Sequence, residues 1–177
     1  MLGAGRWRGT ANTVWRNVTP TFVYKALKHE ALPVENGGIA TRDLIYVDDL
    51  VRGLVACALR GEPGGVYNLA SGRETSIREL AETISQLTGN PTPIALAPAR
   101  DWDHSGQRYG DPAKARAELG FEAQVELRDG LARTIAWTRE NLGRIEACMT
   151  RHAARIDELA AAADGLRAGC DEPVVAG

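Results

Sequence analysis

The chain has 177 residues, 44% of them hydrophobic and 25% charged, and carries a net charge of −2. This is the composition of a globular protein of one domain, or one domain and an appendage, with enough apolar residues to bury a core. It excludes a general nucleic-acid binder, because no basic block or stripe is present, and no apolar run reaches the roughly 20 residues that span a bilayer.

The amino terminus, Met1 to Arg6, has no apolar signal-peptide core, and Cys57, Cys148 and Cys170 are odd in number and widely spaced. Both features point to a cytoplasmic chain with reduced thiols rather than a disulfide frame or a zinc site. Gly3-Ala4-Gly5-Arg6-Trp7-Arg8-Gly9 has the look of a dinucleotide-binding glycine loop. Such a loop must follow a buried strand, and only Met1 and Leu2 precede it, so residues 1–18 read as an irregular segment anchored by Trp7 and Trp15.

A helix is expected from Thr19 to His29, with Thr19 as cap, Pro20 in the first turn, and Phe22, Ala26 and Leu27 on one face. It contains Tyr24-x-x-x-Lys28, a spacing that sets a phenol and an ammonium one turn apart and can serve proton transfer, but that is common in ordinary helices. Leu32 to Glu35 reads as a short strand and Asn36-Gly37-Gly38 as its turn, making a hairpin with the strand that follows. That second strand is the apolar run Leu44 to Val47, with Arg42 at its entrance, and Asp48-Asp49 stands before a helix running to about Arg60. The guanidinium of Arg42 suits a phosphate-bearing ligand because it donates paired hydrogen bonds to phosphate oxygens; the local alternative is a surface ion pair with Asp43 or Asp48. The acidic pair favours the positive end of the helix dipole, and Leu50, Leu54, Cys57 and Ala58 mark the helix's apolar face.

Val66 to Ala70 reads as a strand ending at Ser71-Gly72, with Asn68 a polar residue among apolar neighbours that bonds either a ligand or nearby backbone. Ser76-Ile77-Arg78-Glu79 is a capping box, and Ile77, Leu80, Ala81, Ile84 and Leu87 form the inner face of its helix, which stops at Gly89-Asn90-Pro91. Pro93 to Ala97 is a further strand, leading into the polar loop Arg100 to Tyr109, where binding residues concentrate. Asp103, His104 and Ser105 are adjacent in sequence and cannot supply triad geometry. Asp111-Pro112 caps a short helix ending at Leu119-Gly120, and Phe121 leads to a longer helix from about Leu127.

From Leu131 the apolar residues step by four and three through Ile135, Leu142, Ile145, Met149, Ile156, Leu159 and Leu166, a heptad seam imperfect at Thr138, His152 and Ala163. Unbroken from Leu127 to Ala168, the helix would be on the order of 60 Å long at ~1.5 Å per residue. Either it projects and pairs with another helix, or it breaks near Asn141-Leu142-Gly143. The expected organisation is therefore an irregular start (1–18), a binding domain (19–141) and a helical tail (142–177) with a frayed end.

In order, the landmarks are Val18-Thr19-Pro20-Thr21-Phe22, Thr41-Arg42-Asp43-Leu44-Ile45-Tyr46-Val47-Asp48-Asp49, Val66-Tyr67-Asn68-Leu69-Ala70-Ser71-Gly72, Thr75 to Ala81, Lys114 to Phe121, and the helix ending Trp137-Thr138-Arg139-Glu140-Asn141. Together they resemble the carboxy-terminal, substrate-binding part of the extended short-chain dehydrogenase/reductases, the NAD-dependent nucleotide-sugar epimerases (isomerases) and dehydratases (lyases). The resemblance covers about residues 15 to 141. It implies an α/β fragment, a small mixed sheet with flanking helices, lacking the amino-terminal Rossmann half. It also implies that Arg42, and Arg100 with Asp103, contact the diphosphate of a nucleotide sugar. Asn68 would lie near the nucleotide, and Pro33-Val34-Glu35 beside its base and ribose. The family's usual loop after the second arginine is shorter and reads Pro-Gly, where this chain has Asp101-Trp102.

The family's NAD loop, catalytic Ser/Thr and Tyr-x-x-x-Lys lie upstream of this chain's first residue in the resemblance, and Tyr24 falls on a helix after the catalytic one. In the full enzyme NAD takes a hydride from the sugar while the tyrosine removes a hydroxyl proton. The expectation is thus a truncated, inactive substrate-binding portion that binds no NAD(P) alone, whose partners are a nucleotide-diphosphate sugar and a missing or separately encoded NAD-binding half. The alternative is a non-enzymatic module that forms homo-oligomers through the heptad tail.

Overall fold

A computed structural model describes residues 17–99 and 106–151. The glycine-rich start with Trp7 and Trp15, the residues Arg100, Asp103 and His104, and the seam from His152 onward lie outside the described residues.

The first helix, α1, spans Val18–Leu27 with Asn17 as its cap residue. Thr19 therefore sits inside the helix rather than before it, and Pro20 lies in the first turn, where a missing N–H costs nothing. Strand β1 (Pro33–Glu35) leads through a single 3-10 turn (Asn36–Gly38) to strand β2 (Thr41–Asp43). Helix α2 (Val47–Arg60), strand β3 (Glu74–Ser76), helix α3 (Ile77–Thr88) and strand β4 (Ala95–Ala97) follow. The chain continues with helices α4 (Ala113–Leu119) and α5 (Leu127–Glu140), and helix α6 occupies residues 142–151.

The expected hairpin between β1 and β2 does not form. Strand β1 pairs parallel with β4, Val34 opposite Leu96, while β2 pairs antiparallel with β3, Arg42 opposite Thr75. The turn explains why: Asn36, Gly37 and Gly38 are all left-handed (φ 46°, 63° and 74°), so the chain coils away instead of reversing beside itself. Gly38 is required there twice over. Its φ disfavours a side chain, and an added Cβ would lie 2.7 Å from Val34 Cγ1 and 2.8 Å from the Arg78 backbone nitrogen. Gly38→Ala should cost about 2 kcal/mol or more in urea unfolding, and a loss below about 0.5 kcal/mol would show that the turn relaxes freely.

Two buried clusters organise the molecule. The larger joins Phe22, Val23 and Ala26 of α1, Leu32 and Val34 at β1, Leu80, Ala81 and Ile84 of α3, and Leu131 and Ile135 of α5. Each fully buried Leu or Ile contributes roughly 1.5–3 kcal/mol, so this three-helix core is the main source of stability. The inner face expected for α3 is the one observed, and Ser76 Oγ accepts from the Glu79 backbone N–H at 3.0 Å. The Glu79 carboxylate turns outward to Arg73. The smaller cluster joins Ala56 of α2 to Ala115 and Leu119 of α4 and to Phe121.

Only half of the face expected for α2 turns inward: Cys57 packs on the smaller cluster and Leu50 is half-buried. Its buried residues are Asp49, Gly53 and Ala56, whereas Leu54 and Ala58, expected inside, are exposed. The reason is a close approach: an added Cβ at Gly53 would lie 2.8 Å from Leu69 Cδ2 and 2.9 Å from Phe121 Cε2, so the helix lays its small-residue side on those two side chains.

The tail helix breaks at Asn141, whose φ and ψ of −107° and 11° end α5. Of the heptad seam, Leu131, Ile135, Thr138 and Ile145 are already buried within the chain itself. Glu146 of α6 is fastened to α1 by Lys28 Nζ at 2.7 Å and by the Tyr24 hydroxyl at 3.2 Å. No helix among the described residues is long and apolar enough to cross a membrane.

Candidate functional site

Strand β2 is short, and its neighbours on both sides decide what Arg42 can reach. On one side lies β3; on the other the segment 106–110 is pinned residue by residue. Thr41 N–H donates to the Gly106 carbonyl at 3.2 Å, and Arg108 N–H donates to Thr41 Oγ1 at 3.3 Å. Gly110 N–H then donates to Asp43 Oδ2 at 3.4 Å. This stitching lays the end of the polar loop beside β2 and encloses an open cleft of about 540 Å³ lined by Arg42, Asp43, Gln107, Arg108, Tyr109 and Gly110. The volume lies within the 300–1,000 Å³ usual for small-molecule sites.

The electrostatics of the cleft follow from who is paired. Asp43, the acid in its wall, accepts from Ser71 N–H (2.9 Å), Ser71 Oγ–H (2.7 Å), Gly72 N–H (2.9 Å) and Gly110 N–H. Its carboxylate is thus occupied in holding three segments together, and the surface-pair alternative for Arg42 with Asp43 is not what forms. The half-buried Arg42 is braced by its own strand, Nη1 donating to the Thr41 carbonyl at 2.6 Å. Two arginines, Arg42 and Arg108, therefore line one cleft whose carboxylate is already satisfied by donors, a composition that suits an anion.

Asn68 borders this site. Its Cβ would lie 3.8 Å from a Cβ added at Gly110, and its Nδ2 donates to the Asp111 carbonyl at 3.2 Å. The side chain is exposed, and Val66–Ala70 forms no strand among the described residues, contrary to expectation. Pro33 and Glu35 belong to the other sheet and do not line the Arg42 cleft. Sequence reading singled out the polar loop but passed over Arg108 as the partner of Arg42. The signal available was the Thr41-Arg42-Asp43 alternation, which puts two hydrogen-bonding side chains on either side of the arginine.

The expected strand Leu44 to Val47 is also displaced: the ladder occupies Thr41–Asp43, and α2 begins at Val47, with Asp48 and Asp49 in its first turn. Asp49 does more than balance a helix dipole. It is buried, accepts the Gln124 and Val125 backbone N–H groups at 3.0 and 2.9 Å, and is ion-paired to Arg52.

Tyr24 and Lys28 both hydrogen-bond the Glu146 carboxylate. Burial first, then the Glu146 carboxylate, raises the Tyr24 phenol above its ordinary value, the opposite of what a catalytic base needs. The absorbance titration of the wild type minus that of Tyr24→Phe should place this phenol above 10.0. Glu146→Gln should bring it down, and ionisation below the ordinary value would revive a catalytic role.

The sequence profile of the family described as GDP-mannose 4,6 dehydratase matches residues 5–134. A dTDP-glucose 4,6-dehydratase of Streptomyces griseus is 34% identical over 67% of this chain and 36% of its own length. UDP-glucuronic acid decarboxylase 3 of Arabidopsis thaliana is 38% identical over 64% of this chain and 33% of its own. The crystal structure of the Bordetella bronchiseptica enzyme WbmF in complex with NAD+ and UDP superposes with a TM-score of 0.74 at 61% identity, covering 88% of this chain and 46% of that one. The chain thus spans about a third of the length of these curated relatives and under half of the solved structure.

Proposed function

The chain belongs to the extended short-chain dehydrogenase/reductase family of NAD-dependent nucleotide-sugar epimerases and dehydratases, and from that premise we propose that it is the part of such an enzyme that holds the nucleotide sugar. The observation that carries the reading is the cleft of about 540 Å³ at β2, which both Arg42 and Arg108 line while Asp43 is occupied by backbone and serine donors. A diphosphate seated there receives charge-assisted hydrogen bonds worth roughly 1.5–3 kcal/mol each. Asn68, close to Gly110 at the cleft's border, is the residue this reading assigns to the nucleotide. The family resemblance would add Arg100 with Asp103 as a second diphosphate contact and Pro33 and Glu35 beside base and ribose, although the last two do not line the Arg42 cleft.

This reading assigns NAD to the part of the relatives that this chain does not match. The two described helices that directly follow strands, α2 and α3, start at Tyr46-Val47 and Ser76-Ile77, with no glycine turn to admit a diphosphate against the helix end. The hydride and proton transfers accordingly belong to the part of the relatives that this chain does not match, and the chain alone is inactive. UDP is the probe of choice, since WbmF was solved with it. Calorimetry should show saturable UDP binding by this chain that weakens with added salt, as expected for charges in an open cleft. Absence of binding at millimolar UDP would sink the reading.

A further inference from the structure

Thr41 precedes Arg42 on β2, is 8% exposed, and has each of its polar groups engaged. Its N–H donates to the Gly106 carbonyl at 3.2 Å, and its carbonyl accepts from Arg42 Nη1 at 2.6 Å. Its hydroxyl donates to Glu74 Oε1 at 2.6 Å and accepts the Arg108 N–H at 3.3 Å. Three of these four bonds hold parts of the Arg42 cleft. The fourth leaves it for β3, where Glu74 pairs with Asp43 across the ladder and its carboxylate reaches diagonally back to Thr41. Neither Thr41 nor Glu74 lines the cleft.

The polarity of this chain of bonds has one sense. A threonine hydroxyl holds a single proton, and a carboxylate can only accept, so Glu74 takes the hydroxyl's one donated bond and leaves the oxygen lone pairs for the Arg108 N–H. Gly106 and Gly110 are bonded to β2 on either side of that contact, so the hydroxyl fixes the middle of the segment, from which Arg108 enters the cleft lining. An acid opposite Asp43 would, as a bystander, only oppose an anion bound in the cleft.

Resting on the reading of this cleft as the diphosphate site, we propose that Thr41 and Glu74 are its positioning residues: Glu74 orients the Thr41 hydroxyl, and the hydroxyl places Arg108 in the cleft that Arg42 also lines. Neither residue touches the ligand. Both act through Arg108, because Arg42 keeps its brace from the Thr41 carbonyl whatever side chain stands at position 41.

UDP calorimetry and amide hydrogen exchange on one set of variants test this. Thr41→Val keeps the shape and the backbone bonds to Gly106 and Arg42 but has no hydroxyl, so it should weaken UDP binding about 3- to 10-fold, the size of one net hydrogen bond, and speed exchange of the Arg108 amide. Thr41→Ser restores the hydroxyl and should bind within about twofold of the wild type. Glu74→Ala should weaken binding about 2- to 5-fold although it removes a negative charge, the opposite sign from that of a bystander acid. In an Arg108→Ala background both losses should disappear, since they act through that side chain. Undiminished binding or an unchanged Arg108 amide in Thr41→Val, tighter or equal binding in Glu74→Ala, or the same losses without Arg108 would overturn the proposal and leave the nucleotide-sugar reading standing. A wild type that binds no UDP at millimolar concentration removes both. Should Thr41→Val fail to fold, Glu74→Ala, at an exposed position, decides by the sign of its effect.

Discussion

Replacing Arg42 with alanine should weaken UDP binding by about 10- to 100-fold, the equivalent of one or two charge-assisted hydrogen bonds at ~1.5–3 kcal/mol each, discounted for a cleft open to solvent. The expectation rests on the way Arg42 is held. Its strand is paired with β3 on one side and stitched to segment 106–110 on the other, and Nη1 is braced by the Thr41 carbonyl, so little freedom remains to be lost on binding. Arg42→Lys should recover only part of the loss, because an ammonium keeps the charge but not the planar fork. Arg108→Ala should weaken binding less, since that side chain is exposed, and the double variant should fall short of the summed effects because both arginines line one cleft. Calorimetry at fixed ionic strength checks all three; an Arg42→Ala protein that binds UDP as well as the wild type removes the diphosphate assignment.

The largest effect on stability is expected at Asp49. The carboxylate is 1% exposed and ties the first turn of α2 to the Gln124-Val125 backbone that precedes α5. Asp49→Ala leaves the Gln124 and Val125 N–H donors and the half-exposed Arg52 without their acceptor, a change expected to cost about 2–4 kcal/mol. Asp49→Asn, of the same shape, should cost less but remain destabilising, because its amide must offer an NH₂ group where the wild type offers an oxygen.

A pH dependence follows. Burial by itself would raise the Asp49 pKa, but the hydrogen bonds from Arg52, Val125 and Gln124 outweigh it and hold the group below 3.8. A depressed folded-state value means the contribution is present above the unfolded-state value and is lost as pH falls through the folded one, so acid unfolding should steepen below 3.8 in the wild type and flatten in Asp49→Asn. Urea unfolding near neutral pH and melting curves down to about pH 3 check both statements, and equal acid sensitivity of the two proteins would refute the linkage.

Local chemistry was legible wherever a few neighbouring residues decide the outcome. Ser76 caps α3 as its spacing requires, Asp111 Oδ1 accepts the Ala113 N–H at 2.9 Å to start α4, and the periodicity of α1, α3 and α5 picks out side chains that are buried together. Features that depend on a distant neighbour were not legible in the same way. The parallel pairing of β1 with β4 joins residues about sixty positions apart, and nothing within either three-residue strand specifies it. Half of the face expected for α2 was misjudged because the helix's larger apolar residues point outward, away from a contact that Gly53 and Ala56 make by being small.

By itself the sequence determined the Ser76 cap of α3, the inner faces of α1, α3 and α5, the family, and Arg42 as the residue to watch, because each depends on periodicity, capping chemistry or a short motif; it left the tail helix either projecting or broken near Asn141. Only the tertiary structure decided that Arg108 shares Arg42's cleft, that Asp43 and Asp49 are occupied as clamps, and that one side of α2 is left open. The physical reason is the same in each case. A hydrogen bond or a close packing contact depends on where a remote segment is brought, and the 106–110 segment reaches β2 only because backbone donors at Thr41, Arg108 and Gly110 find their acceptors there.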